Sequence, residues 1–225
     1  MTAASIGVVI GVRNQQRYIG EAIDSILGQT LPPEQVVVVD DGSTDETVAA
    51  IRAHGVEPVL LPEQSGPAAA RNAGAALIET ELIAFLDGDD RMMPSHHAVL
   101  AAALGAANAV SGRTRQFFDP GREAELAARH RLPHEPMHGG ICGAVMFRRD
   151  AFEALGRFPV DDGVHDFFGL VQSLGEHPQV DDVVLERRIH GENRSIVDRD
   201  GLQAEYLRAA RQAILDRRTT SAEGV

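Results

Sequence analysis

The chain has 225 residues, 44% of them hydrophobic, with a formal net charge of -12, enough for one large domain or two small ones around a sizeable core. All 21 basic residues are arginine. That excludes a P-loop, whose lysine reaches the phosphates, and the acidic balance argues against a general nucleic-acid or anionic-membrane surface. No apolar run is long enough to span a bilayer. A single cysteine, Cys142, rules out an internal disulfide, so a cytoplasmic protein is expected.

Residues 6–12 are apolar, lack a preceding basic segment, and read as a first strand rather than a signal peptide. Ile19, Ala22, Ile23, Ile26 and Leu27 then recur at helical spacing, and Gly28 with Pro32 and Pro33 ends that helix. Residues 35–39 form a Val-rich second strand, and Asp40-Asp41-Gly42-Ser43-Thr44-Asp45 turns into a helix with Val48 and Ile51 inward. Gly55 stops it. A third strand over 56–61 is interrupted by Pro58, which places it near an edge. After Ser65-Gly66-Pro67 comes a small-residue helix, 68–78. Residues 82–86 read as a buried strand running into Asp87-Gly88-Asp89-Asp90.

Strands alternating with helices predict a parallel sheet with right-handed crossovers. Ligands of such sheets bind beyond the carboxyl ends of the strands. Asp40 and Asp41 end the second strand, and Asp87, Asp89 and Asp90 end the fourth, so both acidic clusters fall on one rim. Gly88 lets the backbone turn sharply between Asp87 and Asp89, which suits oxygen ligation of a divalent cation. A plain polar turn would use the same residue types; the shared rim favours the metal site. The glycine-rich dinucleotide fingerprint is absent after the first strand, where the chain reads Gly11-Val12-Arg13-Asn14.

Beyond Pro94, Ser95 is placed to cap a helix through Leu104, and 110–118 reads as a strand. Residues 119–136 are polar and irregular around a short helix, 123–130, as in a linker or substrate-covering loop. A strand over 144–147 and a helix over 150–155 follow. The acidic segment Asp161 to Asp166 opens a helix with Leu170, Val171 and Leu174 inward. The last strand, 183–189, ends in His190-Gly191-Glu192-Asn193. A terminal amphipathic helix carries Leu202, Tyr206, Ala210 and Ile214, and the tail after Arg218 is expected to fray.

Taken together, Asp41-Gly42-Ser43-Thr44-Asp45, Ala70-Arg71-Asn72-Ala73-Gly74, Phe85-Leu86-Asp87-Gly88-Asp89-Asp90, Gly156-Arg157-Phe158-Pro159, Asp166 and Arg188-Ile189-His190 resemble, in order and spacing, a family 2 glycosyltransferase. The resemblance implies an α/β GT-A fold: a Rossmann-like, mostly parallel sheet flanked by helices, with a smaller acceptor-side subregion. It implies one domain over residues 1–218, with a nucleotide-binding half (1–94), an acceptor-side half (95–200) and a C-terminal helix (201–218), then a tail (219–225).

By the same resemblance the activity is inverting transfer of one sugar from a nucleoside-diphosphate donor, a UDP- or TDP-sugar, to an acceptor hydroxyl. Asp41 would bind the base and Arg71 the nucleotide, with Val12, Arg13, Asp87 and Gly88 lining the same pocket. Asp87, Asp89 and His190 would hold Mn²⁺ or Mg²⁺, Asp89 most directly, with Asp90 orienting them from behind. A bound cation stabilises the charge that grows on a leaving diphosphate, and Asp166 would take the acceptor proton as general base. A carboxylate opening a helix is held in its ionised form.

The chain departs from the family pattern where Gly11-Val12-Arg13-Asn14 lacks a base-stacking aromatic, and where His165 precedes Asp166 in place of an acid. No long C-terminal helices or spans of the polymerising kind follow, which favours a single-transfer enzyme. The competing expectation is an inactive sugar-nucleotide binder or scaffold. A nucleotidyltransferase lacks its basic glycine-rich loop here, and a haloacid-dehalogenase-type phosphatase lacks its lysine.

Overall fold

Four parallel strands carry the acidic rim: β1 (Ile6–Val12), β2 (Gln35–Asp40), β3 (Val59–Leu60) and β4 (Leu82–Asp87). Their spatial order is β3-β2-β1-β4, all neighbours parallel. Three helices make the crossovers: α1 (Ile19–Leu27), α2 (Thr47–Ala53) and α3 (Pro67–Ala75). The structure, a computed structural model, describes residues 4–138, 141–159, 170 and 176–193.

Local sequence accounts for most of these elements. Ile19, Ala22, Ile23 and Ile26 are buried on one face of α1 as their spacing predicts. Leu27 is a correction, being 52% exposed: eight residues after Ile19 it lies about 80° further round the helix. Pro58 leaves β3 only two residues long at the sheet edge. Pro67, with no N–H to satisfy, takes the first turn of α3.

Past β4 the sheet continues but its direction changes. The strand β5 (Arg91–Met92) and the helix α4 (His96–Leu104) follow β4 in the chain. Next come β6 (Ala109–Phe118), α5 (Glu123–Ala127), β7 (Met137–His138), β8 (Val145–Arg148), α6 (Arg149–Ala154) and β9 (Gln179–Ile189). The order runs β4-β8-β6-β9-β5, with β7 beside β6. Here β8 is antiparallel to both β4 and β6, and β9 is parallel to β6. Ser95 occupies the N-cap position of α4, but its side chain makes no capping hydrogen bond. The strands β5 and β7 are two residues each, too short to leave a periodic signal.

Both sheet faces are covered, as parallel sheets require. Val8, Ile10 and Val12 of β1 pack with Leu82, Ala84 and Leu86 of β4 and the inner face of α1. On the opposite face Val9 meets Ile83, Phe85, Phe147, Phe152 and Phe158. The alternation along each strand divides the two cores. The expected helix at Asp166 and the terminal helix with its tail lie outside the described residues.

Candidate active site

The parallel register sets the rim. Val12 pairs with Asp40, and Gly11 with Asp87, so the ends of β1, β2 and β4 lie side by side. The Asp41 N–H continues this pairing by donating to the Val12 carbonyl (2.9 Å). Both acidic clusters therefore share one edge.

Asp41 is buried and accepts the backbone N–H groups of Ser65 (2.6 Å) and Gly66 (2.9 Å), one on each oxygen. This pins the loop that opens α3 to the end of β2 and leaves lone pairs of the carboxylate for a further donor. Asp40 accepts from both the N–H and the hydroxyl of Ser43. Asn14, held at φ 52°, exchanges hydrogen bonds with Ser43 and Thr44. Val12 is buried beneath this loop and Arg13 is exposed above it.

Arg71 projects from α3 and donates to Asp87 Oδ1 at 2.6 Å, its guanidinium 5.5 Å from the centre of the Phe158 ring. Gly88 follows with no room for a side chain. A Cβ there would strike Gln15 Oε1 and come within 2.9 Å of Val12 Cγ2. The close approach, more than backbone freedom, requires glycine.

Asp87, Asp89 and Asp90 bring carboxylate oxygens within 4.8 Å of one another. Asp90 is buried and accepts the Arg188 N–H at 2.9 Å. Burial, then the neighbouring Asp89 and Asp87 carboxylates, raise its carboxyl well above the usual range. Of the expected metal residues, His190 meets Asp89: its Nε2, at the end of β9, lies 3.0 Å from Asp89 Oδ2, while Asp87 clusters with Asp89 and Asp90. Two ligands about 2.1 Å from one cation in adjacent octahedral positions would stand about 3 Å apart. The pair thus fits a shared ion as well as it fits a hydrogen bond, and a cation would relieve the crowding of three carboxylates.

His190 is held by its backbone. Its N–H donates to Asn193 Oδ1 (2.9 Å), and its carbonyl accepts from Arg122 (2.8 Å). Its Nδ1 is buried without a partner among the described residues, and Nε2 is the nitrogen facing the acids. Asp166, the expected base, lies outside the described residues.

Several residues around this site had no role in the sequence reading. Arg188, 1% exposed, sits behind the acidic turn between the rings of Tyr18 and Phe117. Asp119, in the polar stretch expected to be irregular, is buried at the end of β6 and pairs with it at 3.0 Å. Asn193 links the Arg188 carbonyl to Asp89.

A strand-end rim of acids with an arginine and a histidine converging on it has the chemistry to hold a phosphate-bearing ligand and a cation. The sequence model of Glycosyl transferase family 2 matches residues 7–156, and the chain belongs to that family. It is 37% identical over 156 residues to the succinoglycan biosynthesis protein ExoO of Rhizobium meliloti, covering 63% of this chain and 43% of ExoO. It is 38% identical over 113 residues to ExoU of the same organism, covering 47% of this chain and 33% of ExoU. These relatives are thus more than twice as long as the regions matched.

Among solved structures, the fold is similar to S. aureus TarS 1-349 in complex with UDP, with a TM-score of 0.67 at 18% identity. That likeness covers 84% of this chain and 61% of TarS 1-349. The complex of the same protein with UDP-GlcNAc gives a TM-score of 0.67 at 19% identity. The expected GT-A architecture is the one observed. No helix among the described residues is long and apolar enough to cross a membrane.

Proposed function

We propose that this chain is the catalytic unit of an inverting glycosyltransferase that moves one sugar from a UDP- or TDP-sugar to an acceptor hydroxyl. The observation that carries the reading is the contact of Asp89 with His190, beside the Arg71–Asp87 ion pair. It puts two side chains able to share a cation next to an arginine on one strand-end rim. The UDP and UDP-GlcNAc complexes of TarS support a nucleotide-sugar donor here.

The residues divide the work. Asp41, already anchored by Ser65 and Gly66, offers its remaining lone pairs to a base N–H, with Val12 and Arg13 beside it. Arg71 moves from Asp87 to the diphosphate as the nucleotide arrives, exchanging one anion for another. Asp89 and His190, with Asp87 alongside, would hold Mn²⁺ or Mg²⁺. When bound, the ion supplies positive charge for the departing diphosphate. Asp166 takes the acceptor proton on the opposite face of the sugar, and a single displacement inverts the anomeric carbon.

Incubation with a panel of UDP- and TDP-sugars and Mn²⁺, read as released nucleoside diphosphate, tests the reaction. Slow hydrolysis of at least one donor is expected without an acceptor. Absence of release and of binding for every donor would contradict the proposal. Asp166→Asn is expected to abolish turnover and leave the affinity for UDP within about twofold, since the base touches the acceptor side only. An active Asp166→Asn variant would refute the base assignment and leave the donor site standing.

A further inference from the structure

Arg188 is the most buried cation described around the acidic turn, and its bonds are distributed unusually. Its Nε donates to the Asp89 carbonyl (3.1 Å), and its backbone N–H donates to the Asp90 carboxylate (2.9 Å). Its two terminal nitrogens point away from the acids, to Asp119 Oδ1 (3.0 Å) and Glu21 Oε2 (2.7 Å). Arg71, by contrast, pairs directly with the carboxylate of Asp87. Beside three carboxylates, the guanidinium binds, among the described residues, the main chain of Asp89 and the side chains of Asp119 and Glu21.

Asp119 is what holds it there. It is 2% exposed, and its second oxygen accepts from the Tyr18 hydroxyl (3.2 Å) and from Arg17 (3.4 Å). Glu21 is a weaker anchor, its side chain 48% exposed and screened by water. The Tyr18 ring in turn packs 4.9 Å from the His190 ring. The network therefore touches the Asp89–His190 pair from two directions, through the main chain of Asp89 and through the face of the imidazole.

We infer that Asp119 is a positioning residue for the cation site: by anchoring the Arg188 guanidinium it keeps that charge off the Asp89 and Asp90 carboxylates and fixes the spacing between Asp89 and His190. The inference rests on the donor-site reading above and names a residue outside it. A buried cation that loses one anchor seeks another anion. Glu21 still holds one nitrogen but is half exposed, and the acids that would receive the metal sit on the turn whose Asp89 carbonyl is 3.1 Å from Nε. Outer residues that orient metal ligands change metal affinity on the order of 10- to 100-fold when altered.

The test is calorimetric titration of the full chain with Mn²⁺ in the presence of UDP, and with UDP alone. Asp119→Asn keeps the shape but removes the charge and turns one of the two acceptor oxygens into a donor amide. It is expected to weaken Mn²⁺ binding about tenfold or more while metal-free UDP affinity stays within about twofold. Adding Arg188→Met to Asp119→Asn removes the released cation and is expected to recover part of the lost Mn²⁺ affinity; a purely structural ion pair predicts no such recovery. Unchanged Mn²⁺ affinity in Asp119→Asn overturns the inference. Should that variant not fold, Tyr18→Phe decides: about a threefold loss supports the inference, and wild-type affinity overturns it. A wild-type protein that binds UDP but no Mn²⁺ overturns the metal reading itself, and this inference with it.

Discussion

Asn72 and Phe158 are joined by a reciprocal pair of hydrogen bonds: Asn72 Nδ2 donates to the Phe158 carbonyl (2.8 Å), and the Phe158 N–H donates to Asn72 Oδ1 (3.0 Å). One side chain thus satisfies both backbone groups of a buried residue 86 positions away. It ties the helix that carries Arg71 to the segment that leads toward Asp166. Asn72→Ala leaves both backbone groups unpaired and is expected to cost about 1–3 kcal/mol of stability. Urea unfolding would show this as a lower midpoint, and an unchanged midpoint would mean that water replaces both bonds.

Arg71 is assigned to the diphosphate because it is mostly buried and its ion-pair partner on the rim, Asp87, is an anion a nucleotide can replace. Arg71→Ala is expected to weaken UDP binding by about 1.5–3 kcal/mol, on the order of 10- to 100-fold. Arg71→Lys should recover only part of it, because a point charge cannot match the planar fork. Titration with UDP checks both values; a lysine variant as tight as wild type would argue against bidentate binding.

His96 and His97, the first two residues of α4, are fully buried, and each donates one ring N–H to a carbonyl at 3.0 Å, His96 to Gly143 and His97 to Leu31. Burial, then the neighbouring His97, pushes the His96 imidazole down to about 3, against the bond to Gly143; burial also lowers His97. A histidine whose folded pKa lies below its unfolded value stabilises the fold fully above about 6.5 and loses that contribution as pH falls toward 3. Asp90, with its carboxyl raised, works in the opposite direction, so the comparison must be between variants. The stability cost of His96→Gln, measured by urea unfolding, is expected to shrink by about 1 kcal/mol between pH 7.5 and pH 5.5. A cost independent of pH would show that His96 titrates normally.

Much of the rim was legible in the sequence. Apolar runs ending in Asp40-Asp41 and Asp87 placed both clusters on one edge as soon as the alternation implied parallel strands, and the register confirms it. The resemblance added His190, whose meeting with Asp89 spans 101 residues and leaves no local pattern. Asp119 escaped for a definable reason. It is followed by Pro120-Gly121, the composition of a surface turn, while its burial depends on Arg188 and Tyr18, 69 and 101 positions away. Residue type revealed the chemistry of the site; only tertiary contacts revealed which charges are held apart.

Metal-dependent nucleotide binding tests the donor site most directly, measured as thermal unfolding with UDP, with Mn²⁺, and with both. At about a hundredfold excess over Kd, binding adds about 2.7 kcal/mol, which for a chain of this size raises Tm by about 5–10 °C. The account predicts a rise with UDP and Mn²⁺ together that exceeds the separate effects, and loss of the Mn²⁺-dependent part in Asp89→Asn. An identical Tm with and without Mn²⁺ for UDP, TDP and every other nucleoside diphosphate would contradict it.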